Sequence, residues 1–470
     1  MGTASVRVKP FLHSEYCKGC GRCVEACAHH CIEPGLEIHP ATGLNPVVLH
    51  LEACTACGLC LEACPEPYGL EPIAPDAEAK APPAPQRFWR REAPKPRPYP
   101  LPFPGSVLPL PGKKAATLVV KGTYASAIGA LLAGCRHFFG YPITPSTEGA
   151  ELMARLLPRL DGVFLQAVSE IATVNLMYGC GGAGLPAMTF TSSPGFSLML
   201  EGISYMIGAE VPGVFVNVMR GGPGLGNIAP EQADVKLACR GLGHGNTHAI
   251  VLCPATPQEM LDFTREAFWL SFTYRNPVVL LSDGYLGQMT GRVELPHTMV
   301  EPHVPEWAVY CDLEHRKNLI SSIQLAEADL EEHNRWLNEK YRLMAAREQR
   351  ADVYQTDDAE VLLVAANTPA RMAKGAVSEL RQHGVKAGLF RPQTLWPFPI
   401  DALKQLLPHV RRIVVVEASP GQIEDEIRLA LSHADLVAPV IDHVQRYGGV
   451  LPSQAEIVQV VNGQMERRAS

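Results

Sequence analysis

Residues 136–148 read RHFFGYPITPSTE. An apolar run ends in a turn stiffened by Pro142 and Pro145, and hydroxyl residues and a glutamate then open a helix-favouring stretch. The same strand–turn–helix pattern recurs along the chain. GVFLQAV (162–168), LPAMTFTSS (185–193), GVFVNVM (213–219) and NPVVLLS (276–282) are apolar runs, separated by helical stretches at 147–157, 170–179 and 196–209. Such alternation predicts an α/β fold with a mostly parallel sheet. A second unit repeats it: VLLVAAN (361–367), VKAGLFRP (385–392), RRIVVVEAS (411–419) and LVAPVI (436–441), with helices from about 370, near 400–407 and near 421–432. The charged segment 320–350 reads as an exposed connecting helix.

The bulk numbers suit this reading. A chain of 470 residues with 47% hydrophobic and 19% charged residues can build several ordinary cores. A net charge of −7 gives no footing for nucleic acid or an anionic membrane. There is neither an apolar run long enough to span a bilayer nor the apolar centre of a signal peptide, so the expectation is a soluble cytoplasmic protein.

Cysteine usage marks off a separate N-terminal unit. Nine of the 14 cysteines lie in the first 64 residues. Cys17-x-x-Cys20-x-x-Cys23-x-x-x-Cys27 is followed by Cys54-x-x-Cys57-x-x-Cys60-x-x-x-Cys64-Pro65, the bacterial ferredoxin spacing in two copies. Three thiolates on one turn can hold three corners of a cubane, and the fourth cysteine, carried away from that turn, serves the other cluster. The predicted ligand sets for two [4Fe–4S] clusters are Cys17, Cys20, Cys23 and Cys64, and Cys54, Cys57, Cys60 and Cys27. A pair of zinc sites is the alternative. Ala28 stands where the motif carries proline, and the extra Cys31 reads as a small core residue rather than a ligand. Residues 72–111 then hold 13 prolines in 40 positions. That segment can be neither helix nor central strand, and Phe88, Trp89, Tyr99 and Phe103 argue for a strap laid on a surface rather than a solvated tether.

Ligands of open parallel sheets bind beyond the carboxyl ends of the strands. Thr144, Glu170 and Arg220 each follow such an end. A hydroxyl, a carboxylate and a guanidinium there suit an anionic, carbonyl-bearing substrate. Each also has a structural reading: Thr144 as a helix N-cap ahead of Pro145, Glu170 as a charge in a helix first turn, Arg220 as a solvated surface group. The glycine-rich loop RGGPGLGN (220–227) is no dinucleotide fingerprint and suits close backbone approach or mobility over a site.

The segments GYPITPSTE, LQAVSEIATVN, TSSPGFSLMLEGISYMIGAEVPGVFVNVMRGGPGLGNIAPEQAD, YRNPVVLLSDGYLGQM and RYGGVLPSQAEI closely resemble the alpha subunit of 2-oxoacid:ferredoxin oxidoreductases, above all the 2-oxoisovalerate (branched-chain) type. The resemblance runs from about residue 115 to the end, and the N-terminal unit resembles the small ferredoxin-like delta subunit of the same enzymes. It implies thiamine diphosphate with Mg²⁺, coenzyme A as co-substrate, and oxidative decarboxylation of a 2-oxoacid with electrons leaving through the clusters to an external ferredoxin. By the same resemblance Thr144 hydrogen-bonds the substrate, Arg220 holds its carboxylate, and Glu170 bonds the cofactor's aminopyrimidine ring. Ser282-Asp283-Gly284 is the one approximation to the family's diphosphate motif, and GQMTGRVELPH follows it where a helix is expected. The diphosphate half of the site is therefore expected on a separate beta subunit, beside a gamma-type subunit.

The implied architecture is a ferredoxin-like domain at 1–71, a proline-rich strap at 72–112, a pyrimidine-binding-type α/β domain at 113–300, a helical connector at 301–357 and a transketolase C-terminal-like α/β domain at 358–470. Three alternatives stand beside it: a non-catalytic electron-transfer scaffold, a transketolase-like enzyme without redox chemistry, and the same enzyme class acting on 2-oxoglutarate, pyruvate or oxalate.

Overall fold

The computed structural model describes residues 8–66, 68–73, 99–110, 116–315 and 318–469. The chain divides into two compact units, Met1–Lys95 and Pro96–Ser470.

The first unit is built twice over. A short 3-10 turn (Ser14–Tyr16) precedes the first cysteine run and the helix Arg22–Ala26, and Leu51–Ala53 with the helix Leu59–Ala63 repeats that order. Strand Lys9–Leu12 pairs antiparallel with Leu70–Ile73, and Ile32–Glu33 with Val48–Leu49. Gly21 (φ 75°) and Gly58 (φ 83°) open the two helices in the left-handed region, which a residue without a Cβ enters freely.

The second unit holds a seven-stranded sheet. Its spatial order is Thr394–Trp396, Ile250–Leu252, Pro277–Asp283, Gly213–Met219, Ala187–Thr191, His137–Gly140 and Val163–Gln166. Six strands are parallel, and Thr394–Trp396 runs antiparallel at one edge. All five runs expected from the sequence are strands. Gly213–Met219 and Pro277–Asp283 are buried at every residue, as central parallel strands covered on both faces must be. Helices Thr147–Leu156, Glu170–Gly182 and Ser193–Gly208 stand where the sequence places them.

A five-stranded sheet follows, ordered Ala351–Tyr354, Ala387–Pro392, Val361–Val364, Arg412–Glu417 and Val440–Gln445. Its last strand begins four residues later than LVAPVI suggests, because Pro439 lacks the N–H a ladder position needs.

Two expectations need correction. The connecting helix Glu327–Arg347 is not simply exposed: Leu337, Lys340, Tyr341 and Met344 are buried. Lys340 Nζ lies 3.4 Å from the buried Glu210 carboxylate, which also accepts from Tyr99 Oη at 2.5 Å and Trp336 Nε1 at 3.2 Å. Thr144 is not a helix N-cap. Ser146 precedes the helix, which begins at Thr147, and the Thr144–Pro145 bond is cis.

The described end of the proline-rich segment, 99–110, lies on the body of the second unit. Leu101 N donates to Thr273 O at 2.9 Å, Phe103 packs edge-on against Phe272 (5.4 Å), and Gly105–Pro109 pairs with Thr298–Pro302. Phe88 and Trp89 lie outside the described residues.

Candidate active site and cluster pockets

Strand order locates a crevice. From His137–Gly140 the chain moves outward to the edge strand Val163–Gln166, whereas from Ala187–Thr191 it moves the opposite way to Gly213–Met219. His137–Gly140 and Ala187–Thr191 are neighbours, so the loops at their carboxyl ends diverge and open a cleft. Thr144 follows the first of these strands, and Thr191 ends the second. Glu170 and Arg220 follow the strands that flank them.

The structure joins Arg220 to Thr144. Arg220, just past its strand, is 8% exposed, and its Nη1 donates to the Thr144 carbonyl at 2.7 Å while Nη2 donates to Leu225 O at 3.2 Å. Its Nε–H is buried and finds no partner among the described residues. The glycine-rich loop folds back to make this possible. Asn227 N donates to Gly221 O at 3.0 Å, and a Cβ on Gly226 (φ +54°) would fall 1.8 Å from that same oxygen, so the loop is a tight closure. Thr144 is exposed.

Glu170 is the first residue of its helix, after Ser169, whose hydroxyl accepts from Ala172 N at 3.2 Å. The capping duty therefore belongs to Ser169. Glu170 is only 5% exposed and its carboxylate accepts no hydrogen bond within the described residues. It points at the start of the helix Ser193–Gly208: a Cβ on Gly195 would stand 2.4 Å from its Oε1 and 2.5 Å from the Thr191 hydroxyl. The Thr191 and Ser192 hydroxyls are buried and unpartnered as well. Burial of uncommitted polar groups is costly unless something else satisfies them.

Sequence reasoning did not find the residues that hold these groups. Ser193 Oγ accepts from Arg220 N at 3.1 Å and donates to Asp234 Oδ2 at 2.5 Å, and Asn217 Nδ2 also donates to Asp234 at 2.9 Å. Burial pushes the Asp234 carboxyl up, and these two hydrogen bonds pull it back. The available signal was the hydroxyl-rich end of TFTSS. Asp283 is spent structurally. At 1% exposure it accepts from the amides of Tyr285, Leu286 and Thr368 and from the Thr368 hydroxyl, and it caps a five-residue helix (Gly284–Gln288) absent from the sequence-based expectation.

In the first unit the thiols sort into two pockets. Cys17, Cys20, Cys23 and Cys64 line one, with Leu12, Val47 and Leu70. Cys27, Cys54, Cys57 and Cys60 line the other, with Cys31 and Ile32. Among the described residues no three His, Cys, Asp or Glu side chains close around a single ion. Amides point at the sulfurs: Val47 N lies 3.5 Å from Cys17 Sγ, Ala56 N 3.4 Å from Cys54 Sγ, and Cys31 N 3.2 Å from Cys27 Sγ. Burial pushes the Cys23 thiol up to about 11, with Cys17 and Cys64 adding to the shift, and burial likewise raises Cys60. Such thiols ionise when a cationic partner compensates, and iron would supply that charge. Donor set, enclosure and amide orientation all fit iron–sulfur cubanes.

Comparison with known proteins agrees. The family of pyruvate flavodoxin/ferredoxin oxidoreductase thiamine-diphosphate-binding domains matches residues 128–352, the pyruvate:ferredoxin oxidoreductase core domain II matches 359–457, and a 4Fe–4S dicluster domain matches 16–67. The ketoisovalerate oxidoreductase subunit VorB of Methanothermobacter thermautotrophicus is 45% identical over 348 residues, covering 74% of this chain and 97% of that protein. The 2-oxoglutarate synthase subunit KorA of Archaeoglobus fulgidus is 37% identical over 355 residues, covering 74% and 99%. Among solved structures, the 2-oxoglutarate:ferredoxin oxidoreductase of Magnetococcus marinus, with 2-oxoglutarate, coenzyme A and succinyl-CoA bound, superposes with a TM-score of 0.68 at 26% identity. That match covers 74% of this chain and 65% of the solved one. The chain belongs to the 2-oxoacid:ferredoxin oxidoreductases, with a 4Fe–4S dicluster domain fused ahead of its thiamine-diphosphate-binding region.

Proposed function

We propose that the chain is the alpha-type subunit, fused to a delta-type ferredoxin domain, of a hetero-oligomeric enzyme that oxidatively decarboxylates a branched-chain 2-oxoacid to its acyl-CoA. The observation that carries this is the cleft: an arginine whose Nε–H has no partner among the described residues, a threonine tied to it, and a buried glutamate with no hydrogen bond among the described residues. Thiamine diphosphate, when bound, supplies the electron sink that lets the 2-oxoacid lose CO₂. Arg220 provides a fork for the substrate carboxylate and Thr144 a hydroxyl at the entrance. Glu170 accepts a hydrogen bond from the aminopyrimidine and so holds the tautomer that moves a proton. The start of the helix Ser193–Gly208 packs close to Glu170, with room for no side chain at Gly195.

The cluster ligands are Cys17, Cys20, Cys23 and Cys64 for one cubane and Cys54, Cys57, Cys60 and Cys27 for the other, grouped as the two pockets group them. With Asp283 fully engaged, Mg²⁺ and the diphosphate fall to a beta subunit, and a gamma-type subunit and an external ferredoxin complete the enzyme. The division into segments 1–71, 72–112, 113–300, 301–357 and 358–470 is part of the same proposal. The branched-chain assignment is supported by VorB, a ketoisovalerate enzyme subunit, at 45% identity against 37% for KorA. No helix among the described residues is long and apolar enough to cross a membrane, which suits a cytoplasmic location.

The test is coenzyme-A-dependent viologen reduction by the anaerobically purified native complex, offered 2-oxoisovalerate, pyruvate, 2-oxoglutarate, an aryl pyruvate and oxalate. Highest kcat/KM with 2-oxoisovalerate is the expected result. Preference for another acid would overturn the substrate, and inactivity with all of them despite bound thiamine diphosphate and full clusters would make the chain a scaffold.

A further inference from the structure

The glycine-rich loop that closes over Arg220 carries two large aliphatic side chains left in the open. Between Arg220 and Glu231 stand only glycine, proline, alanine, Asn227, Leu225 and Ile228. Asn227 is spent on holding the loop: its Oδ1 accepts from Ala229 N at 2.9 Å and its Nδ2 donates to Gly448 O at 3.0 Å. Leu225 is 81% exposed and Ile228 62%, so neither packs a core. Their backbones are nevertheless fixed. Arg220 Nη2 donates to Leu225 O at 3.2 Å, which keeps the Leu225 Cβ within about 6.5 Å of the guanidinium. A Cβ on Gly284 would stand 3.3 Å from Ile228 O and 3.4 Å from Pro145 Cγ, so the Ile228 backbone lies close to the turn that carries Thr144.

We propose that Leu225, with Ile228 beside it, is the specificity-determining residue of the site: it contacts the alkyl branch of the 2-oxoacid and disfavours an acid that carries a second carboxylate. The inference deepens the reading above and rests on Arg220 holding the substrate carboxylate. The branch of 2-oxoisovalerate begins two bonds beyond that carboxylate carbon, within the same reach of the guanidinium as the Leu225 Cβ. A branched chain gains apolar contact there, and pyruvate, with a single methyl group, gains less of it. A second carboxylate would lose its water with no cation to replace it. The loop carries none between Arg220 and Glu231. Lys121, joined to the turn through Gln288, which bonds Pro145 O, is paired with Glu148. Arg446, two residues before Gly448, is paired with Glu456. Glu231, whose carboxylate accepts from Gly222 N at 3.1 Å, adds like charge at the end of the loop.

The experiment measures kcat/KM of the intact, anaerobically purified complex for 2-oxoisovalerate, pyruvate and 2-oxoglutarate, with subunit composition checked on the same samples. Leu225→Ala should lower the ratio of 2-oxoisovalerate to pyruvate by roughly 10-fold or more, the discrimination that a methylene or two supplies in an apolar pocket. Leu225→Lys, which places a cation on the loop, should raise the ratio of 2-oxoglutarate to 2-oxoisovalerate by a similar factor. A parent complex that prefers 2-oxoisovalerate, with both variants keeping its ratios, would overturn the proposal and leave the substrate reading standing. Loss of partner subunits from the purified variants would make Leu225 a subunit contact and overturn it as well. A parent complex that prefers another acid would sink the substrate reading and this inference together.

Discussion

Glu170 shows how a residue's role is set by what surrounds it. A glutamate in a helix first turn ordinarily complements the helix dipole, but here Ser169 caps the helix and Glu170 is buried without a hydrogen-bond partner among the described residues. Glu170→Gln keeps the size and removes the charge. It should lower kcat by roughly 10²–10⁴-fold, with the unfolding temperature little changed; steady-state kinetics beside a melting curve decide it, and near-normal turnover would reduce Glu170 to a structural group. Gly195→Ala tests the same point from the other side. Its Cβ would meet Glu170 Oε1 at 2.4 Å, so kcat should fall although no functional group is lost. Arg220→Lys keeps the charge but loses the fork and the bond that ties it to Thr144. Charge-assisted hydrogen bonds contribute roughly 1.5–3 kcal/mol, so KM for the 2-oxoacid should rise about 10- to 100-fold while KM for coenzyme A stays put. Equal rises in both constants would refute a role specific to the carboxylate.

At the scale of elements, the short strand Thr394–Trp396 belongs by sequence to the second α/β unit but is hydrogen-bonded to Ile250–Leu252 of the first sheet. His248 sits at this seam, stacked on Trp396 (4.7 Å between ring centres, 9° between planes) and edge-on to Tyr341 of the connecting helix (5.1 Å). Its Nδ1 is buried without a partner among the described residues. Burial, aided by Arg240, pushes the ring from its ordinary 6.5 down to about 4. A depressed histidine favours the neutral form in the folded state, so its contribution is intact above about 6.5 and is lost as pH falls toward about 4. Melting temperatures recorded across that window should fall in the native protein and fall less in His248→Phe, which keeps the stack but cannot charge. Parallel curves would remove His248 from the explanation.

Over the whole second unit, the cleft of the five-stranded sheet is already filled. Strands Val361–Val364 and Arg412–Glu417 diverge as the pair in the larger sheet does, and Gln232, from the segment after the glycine-rich loop, is buried between their ends. Its Nε2 donates to Ala366 O and Asn367 Oδ1, both at 3.2 Å, and its Oε1 accepts from Ala418 N at 2.8 Å. Asn227 Nδ2 adds a bond to Gly448 O at 3.0 Å. The C-terminal sheet thus grips the segment that carries Arg220, and Asp234 and Ser193 continue the contact to the Arg220 amide. Gln232→Leu strands buried donors and acceptors at roughly 1–3 kcal/mol each. The unfolding temperature should drop by several degrees and KM for the 2-oxoacid should rise; an unchanged melt would mean that the two sheets are held elsewhere.

What could be read from the chain alone is what short-range chemistry dictates. Cysteines at fixed spacing can reach only certain corners of a cubane, apolar runs alternating with helical stretches can bury themselves only as a covered parallel sheet, and side chains just past strand ends meet at one edge. The placement of Thr144, Glu170 and Arg220 past strand ends was legible for that reason, as were the five principal strands. The partners of those residues were not. Ser193 with Asp234, Gln232 with Ala418, Lys340 with Glu210 and Trp396 with Val251 are separated by 41, 186, 130 and 145 positions, and nothing local in either member of a pair names the other. A charged helix face reads as solvated until a buried glutamate is placed against it, and a threonine before proline reads as a cap until Ser146 takes the position ahead of the helix. Composition and spacing determined which groups this protein carries to its sheet edge. Tertiary packing decided which of them stay uncommitted there, because a side chain's freedom to act depends on every neighbour that could have satisfied it.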